Sequence, residues 1–148
     1  MTATASIPAV GSRMPDLDLT AADGSATTLR TATAGTRSVV FFMRAASCQI
    51  CLGHIAHLER LALDATVVVV VPGDAADAAS VASRVSAGSM QVLASGGAHA
   101  AAGLGTFLTI QHSGTFVLDV DGGVLYRRTA TIPTASFNAA EVVAALAA

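Results

Sequence analysis

Only two cysteines occur among the 148 residues of this chain, three apart in Ser47-Cys48-Gln49-Ile50-Cys51, directly after the apolar run Val39-Val40-Phe41-Phe42-Met43. A strand that delivers Cys-x-x-Cys into the first turn of a helix gives one thiol the positive end of the helix dipole and unpaired backbone N–H groups. Both favour thiolate over thiol. The thiolate is the nucleophilic form, and a second thiol one turn away can close a disulfide with it, so the pair can cycle between dithiol and disulfide within one chain. In a β-α-β setting this spacing points to redox chemistry rather than to two small buried hydrophobes. Arg44, just before the loop, is a cation able to lower a thiol pKa. His54, three residues beyond Cys51 and near the same helix face, is a candidate proton donor or thiolate partner.

Cys48, Cys51, His54 and His57 also spell Cys-x-x-Cys-x-x-His-x-x-His, a set of ligand types suited to zinc. Steps of three along a helix rotate each side chain by about −60°, so Cys51 and His57 diverge by roughly 120° and four ligands do not converge. No metal is expected. Gly96-Gly97 lacks the spacing and the strand-to-helix context of a phosphate loop, and no other cofactor is expected.

Elements able to position the cysteines follow from the apolar pattern. Residues 37–43 and 66–71 read as buried strands, and residues 51–63 as the helix between them, with Ile55, Leu58 and Leu61 at helical spacing. The run Val67 to Val71 suits the middle of a parallel sheet covered on both faces. Ahead of this unit, Leu17 and Leu19 alternate with Asp16 and Asp18, and Ala22-Asp23-Gly24 turns into residues 26–29, which predicts an N-terminal β-hairpin. Behind it, Asp74 caps a helix through about residue 86, residues 90–94 form a strand, and residues 99–104 form a weak helical stretch. Residues 115–120 and 124–127 flank Asp121-Gly122-Gly123 as a second hairpin. Asn138 opens a last helix carrying Val142, Val143 and Leu146. His99 has no motif around it and reads as a surface residue. This order predicts an α/β, thioredoxin-like fold with an N-terminal β-hairpin extension and a central helical insertion. Residues 1–10 are expected to be a flexible arm and residues 11–148 the domain.

Composition bounds the partners. Eight Lys and Arg against ten Asp and Glu give a net charge of −2, with one tyrosine and no tryptophan, so neither a basic stripe nor a stacking platform for nucleic acid is present. Mean hydropathy is +0.62, yet the longest apolar run ends at Pro72, far below the ~20 residues a membrane span needs. Residues 1–11 lack the basic segment and apolar core of a signal peptide, which makes the cytoplasm the default location.

Three segments resemble the peroxiredoxin-like redoxins, the alkyl hydroperoxide reductase/thiol-specific antioxidant (AhpC/TSA) branch of the thioredoxin superfamily. Val10-Gly11-Ser12-Arg13-Met14-Pro15-Asp16-Leu17-Asp18-Leu19 is similar to that branch's opening Val-Gly-x-x-x-Pro-Asp-Phe-x-Leu. Val39-Val40-Phe41-Phe42-Met43-Arg44 resembles the strand that ends at the active-site loop, and Phe116-Val117-Leu118-Asp119-Val120-Asp121-Gly122 the late Phe-Val-Ile-Asp-x-x-Gly strand and turn. The family's Pro-x-x-x-Thr-x-x-Cys would place Cys51 on the attacking cysteine, Cys48 on the threonine and Arg44 on the proline. The Trp-Cys-Gly-Pro-Cys of thioredoxins would instead make Cys48 the nucleophile, with Ser47 in place of the tryptophan. By the same resemblance His54 stands where peroxiredoxins carry a glutamate. Ser113 occupies the position of a cis-proline or an arginine, and His112 lies beside it on the loop facing the pair. Ser47, His112 and Ser113 are thus the expected substrate-binding residues, beside Cys48, Cys51, Arg44 and His54 as catalytic ones. The resemblance implies a thiol-dependent oxidoreductase acting on a peroxide or a disulfide, an external thiol reductant such as a thioredoxin system, and a homodimer. Either cysteine can attack first on these grounds. A metal-binding protein and a redox-inactive member of the same fold are the competing classes.

Overall fold

Five consecutive buried residues, Ser38–Phe42, form strand β3 in the interior of the sheet. In an extended chain alternate side chains point to opposite faces, and here both faces are covered, which is why the strand is apolar throughout rather than alternating. The computed structural model describes residues 6–85, 90–107 and 110–148. Among them a sheet of seven strands runs in the order β2-β1-β5-β4-β3-β8-β9. β1 (Asp18–Ala21) and β2 (Ala26–Thr28) are the predicted hairpin, and β1 also runs antiparallel to β5 (Met90–Ala94). β3 lies parallel to β4 (Thr66–Val71) and antiparallel to β8 (Ser113–Leu118), with Phe42 opposite Val70 on one side and Gly114 on the other. β8 returns through Asp121-Gly122 into β9 (Val124–Ala130).

The two faces have separate cores. Val39, Phe41, Met43, Val67, Val69 and Val71 pack beneath α2 (Gln49–Leu61), α3 (Ala75–Ala82) and α5 (Ala139–Ala147), meeting Cys51, Ile55, Leu58, Val81 and Val142. Val40, Phe42, Val68, Val70 and Phe116 face the other way, onto Met14, Leu17, Leu29, Ala98, Ala102 and Leu104. Helix starts follow capping chemistry. The Asp74 carboxylate accepts from the Ala76 and Asp77 N–H groups while Asp77 accepts from Asp74 N–H, and Asn138 accepts from Glu141 N–H.

Several expectations shift. α2 begins at Gln49 rather than residue 51, which makes Cys48 its N-cap and Cys51 its third residue. The strand expected over residues 26–29 stops at Thr28, whose hydroxyl accepts from Thr31 N–H and starts the one-turn helix α1 (Leu29–Thr33). α3 ends at Ala82, and the remainder of the helix expected to residue 86 turns through residues 83–85, with residue 86 outside the described residues. The weak helical stretch is a single turn, α4 (Ala98–Ala101), followed by a ribbon of β6 (Thr106–Phe107) and β7 (Ile110–Gln111) that the apolar pattern did not announce.

His99 is not a surface residue: it is 3% exposed. Its ring has hydrogen-bonding neighbours on both nitrogens, Ser95 Oγ and the Met43 carbonyl, and it meets Phe42 edge-on at 5.1 Å. Those partners make its burial tolerable. Of the expected arm, residues 1–5 lie outside the described residues. Within 6–10, the Ile7 and Pro8 carbonyls accept from the Arg127 guanidinium and Ile7 packs against the second core.

Candidate active site

The cysteine loop leaves the sheet where β3 ends, at the carboxyl edge of the parallel strands. Met43 N–H donates to Val70 carbonyl at 3.0 Å, continuing the ladder one residue beyond the strand, and Cys48 N–H donates back to Ala45 carbonyl at 3.1 Å. Cys48 therefore enters α2 as the residue whose own carbonyl receives the first helical hydrogen bond, from Leu52 N–H at 3.0 Å. Its sulfur takes the place of a usual serine or aspartate cap, accepting the Cys51 N–H at 3.2 Å. Cys51 Sγ in turn accepts the Arg44 N–H at 3.4 Å. Both cysteines are free thiols, Cys48 3% and Cys51 0% exposed.

The two sulfurs are not equivalent. Burial by itself pushes the Cys48 thiol up, but it is outweighed by hydrogen bonds from the Cys51 thiol and the Cys51 N–H and by the Arg44 guanidinium, which together hold it below the ordinary thiol range. Burial pushes the Cys51 thiol up to about 12, with its own bond to the Cys48 sulfur and the charge there adding to the rise. The two thiols are thus shifted in opposite directions, Cys48 down and Cys51 up.

Of the other expected site residues, Arg44 and Ser47 line an open cleft beside the loop with Pro72, Asp77, Ser80 and Arg84, about 460 Å³ in volume. A second pocket of about 190 Å³, between Arg13, Leu29, Leu118 and Gly122, opens at the far end of β3 and contains none of them. Ser113 directly precedes Gly114, the partner of Phe42 in the last pair of the β3–β8 ladder, and His112 precedes Ser113. Three buried polar atoms of the expected site residues have no protein hydrogen-bond partner: Arg44 Nε, His112 Nε2 and Ser113 Oγ. Such atoms are rare in a folded interior and call for a ligand or another explanation. His54 turns its ring against Phe137 at 4.9 Å and Phe41 at 5.8 Å. Among the described residues no three His, Cys, Asp or Glu side chains gather as a metal site. Sequence reasoning missed His99, whose ring reaches the Met43 carbonyl from α4, and Ser95, just past β5, which bonds that ring. The four-residue spacing between them, one helical turn, was the only signal available.

Comparison with curated protein sequences gives no match. Solved structures match over nearly the full length. Peroxidoxin BcpB from Mycobacterium tuberculosis aligns with a TM-score of 0.75 and 22% identity, over 95% of this chain and 97% of that one. Thiol peroxidase from Chromobacterium violaceum aligns at 0.83 and 12%, over 99% and 90%. Reduced Prx3 in complex with H2O2 from Vibrio vulnificus aligns at 0.72 and 22%, over 99% of each chain. These likenesses establish the shared fold, thioredoxin-like and of the peroxiredoxin type. The Redoxin family model matches residues 9–146, nearly the whole chain including the cysteine loop and both flanking hairpins, and the chain belongs to the Redoxin family.

Proposed function

We propose that this redoxin is a thiol-dependent peroxidase that reduces peroxides through a Cys48/Cys51 dithiol-disulfide cycle, with Cys48 as the attacking thiolate. The observation that carries the order of attack is the asymmetry of the pair: Cys48 caps the helix and is held low, while Cys51 is fully buried and pushed up. The Cys48 thiolate attacks one oxygen of the O–O bond, which breaks; a proton goes to the departing oxygen, leaving an alcohol or water and Cys48 sulfenic acid. Cys51 loses its proton and attacks that sulfur, expelling the hydroxyl as water and closing the disulfide. An external dithiol reductant, such as a thioredoxin system, returns both sulfurs to thiols. The unpartnered Arg44 Nε supports a role in holding the peroxide oxygens in the cleft that Ser47 also lines, and the unpartnered His112 Nε2 and Ser113 Oγ support further substrate contacts.

A trapping experiment checks this. With a sulfenic-acid probe and one equivalent of hydrogen peroxide, Cys51→Ser protein is expected to label at Cys48, and Cys48→Ser protein to stay unlabelled. Label at Cys51 in the Cys48→Ser protein would reverse the order of attack. Absence of label in both, with rapid exchange of the wild-type pair against a small disulfide, would favour a second reading, a thiol-disulfide oxidoreductase. The same low Cys48 thiol suits that chemistry equally well.

A further inference from the structure

The Met43–Arg44 peptide joins the end of β3 to the cysteine loop, and both of its polar atoms are engaged. Its N–H donates to Cys51 Sγ at 3.4 Å, and its carbonyl oxygen lies 2.8 Å from His99 Nε2. A carbonyl can only accept, so Nε2 carries the ring proton and Nδ1 is left with a lone pair. Ser95 Oγ, 2.6 Å from Nδ1, must then donate its proton there, and the same oxygen accepts the His99 backbone N–H at 3.0 Å. Every donor and acceptor in the chain from Ser95 to Cys51 has one consistent direction. Met43, Ser95 and His99 are all buried, and the ring is fixed edge-on against Phe42. Burial also holds the ring at about 4, so it is neutral wherever the cysteines work.

We infer that His99, oriented by Ser95, is a positioning residue for Cys51: it fixes and polarises the Met43–Arg44 peptide so that the peptide N–H meets the Cys51 sulfur. This rests on the reading of Cys51 as the thiol that must ionise to resolve Cys48. A peptide is one resonance unit, so a hydrogen bond drawn to its oxygen makes its N–H a stronger donor. Without the ring, the carbonyl is a buried acceptor lacking this donor, and the peptide plane is free to tilt away from the sulfur. His99 acts through that peptide, with a backbone group between it and the reacting atoms. The sheet itself separates the ring from the helix that carries the cysteines, since His99 sits with Phe42 on one face and Cys51 lies on the other. The peptide is the route across.

The test uses Cys48→Ser protein, in which Cys51 is the sole thiol, and follows its alkylation by iodoacetamide between pH 7 and 9. Adding His99→Phe, which fills the site without a donor, is expected to slow alkylation by about threefold to tenfold at each pH, as a charge-assisted hydrogen bond is weakened or lost. His99→Gln, whose side-chain amide reaches the same carbonyl, is expected to restore most of the rate. A rate in His99→Phe that is unchanged or raised would overturn the inference. A mere loosening of the fold exposes Cys51 and raises the rate, so the two effects differ in sign. Should His99→Phe not fold, nitrogen NMR of the wild-type ring decides: a proton on Nε2 is expected, and a proton on Nδ1 would overturn the relay. No peroxide enters either assay, so their failure leaves the peroxide chemistry standing, and a wild-type protein that does not consume peroxide leaves the relay standing.

Discussion

At the scale of single residues, the two cysteines share one motif and differ in almost everything that governs reactivity. Both lie in the same core cluster, but the hydrogen bonds from Cys51 and the guanidinium outweigh burial at Cys48, whereas at Cys51 burial and the neighbouring sulfur prevail. The sign of the Arg44 contribution follows. A nearby cation favours the charged form of a thiol, so Arg44→Leu raises the Cys48 pKa and moves its rate profile to higher pH. Reaction of Cys48 with iodoacetamide at pH 7 is expected to slow by about threefold, with the rates converging at a pH above both pKa values. The pair itself was legible because Cys-x-x-Cys is a local pattern whose chemistry depends on one helical turn. The opposite shifts of the two thiols were not legible, because they depend on which groups donate hydrogen bonds to each sulfur and how far each is desolvated, and sequence spacing carries neither. His99 failed for the related reason that an isolated imidazole in a run of alanines gives no sign of a carbonyl 56 residues earlier in the chain.

At the scale of elements, helix α2 is well started and poorly stopped. Its N-cap is supplied by a sulfur, and its C-cap, Ala62, takes a left-handed conformation at φ 48° with its N–H donating to Glu59 carbonyl. Glycine adopts that conformation without the Cβ clash that alanine suffers. Ala62→Gly is therefore expected to stabilise the protein by about 0.5–1 kcal/mol after the added freedom of the unfolded chain is set against the relieved clash. A urea midpoint that moves down instead would show that the alanine methyl is packed to advantage. The apolar runs at residues 39–43 and 67–71 revealed buried strands because β-branched and aromatic residues covered on both faces leave no polar positions. Asp121-Gly122 revealed a hairpin because the turn needs a positive φ that glycine supplies, here 88° at Gly122. Helix α1 was invisible because a single turn containing three threonine or alanine positions has no period to detect, and its start depends on one hydroxyl of Thr28.

At the scale of the whole molecule, the buried His99 couples folding to acid. Its pKa is lowered to about 4 in the fold, from an ordinary value near 6.5, because burial penalises the charged ring. Between those values the unfolded chain binds a proton that the folded chain refuses, so stability is full above pH 6.5 and is lost as pH falls toward 4. At pH 4.5 the loss is on the order of 2–3 kcal/mol. Urea unfolding at pH 7 and pH 4.5 is expected to show a difference smaller by that amount in His99→Gln protein than in wild type. The carboxylates contribute alike to both proteins and cancel.

In the proposed cycle the sulfur of Cys48 is at once a reactant and the cap of a helix. Once that sulfur is joined to Cys51 it is neutral, and it is a weaker acceptor for the N–H it held as a thiolate. Each oxidation therefore takes away part of what anchors the first turn of α2, and each reduction puts it back. In the dithiol form that sulfur is almost wholly covered, at 3% exposed.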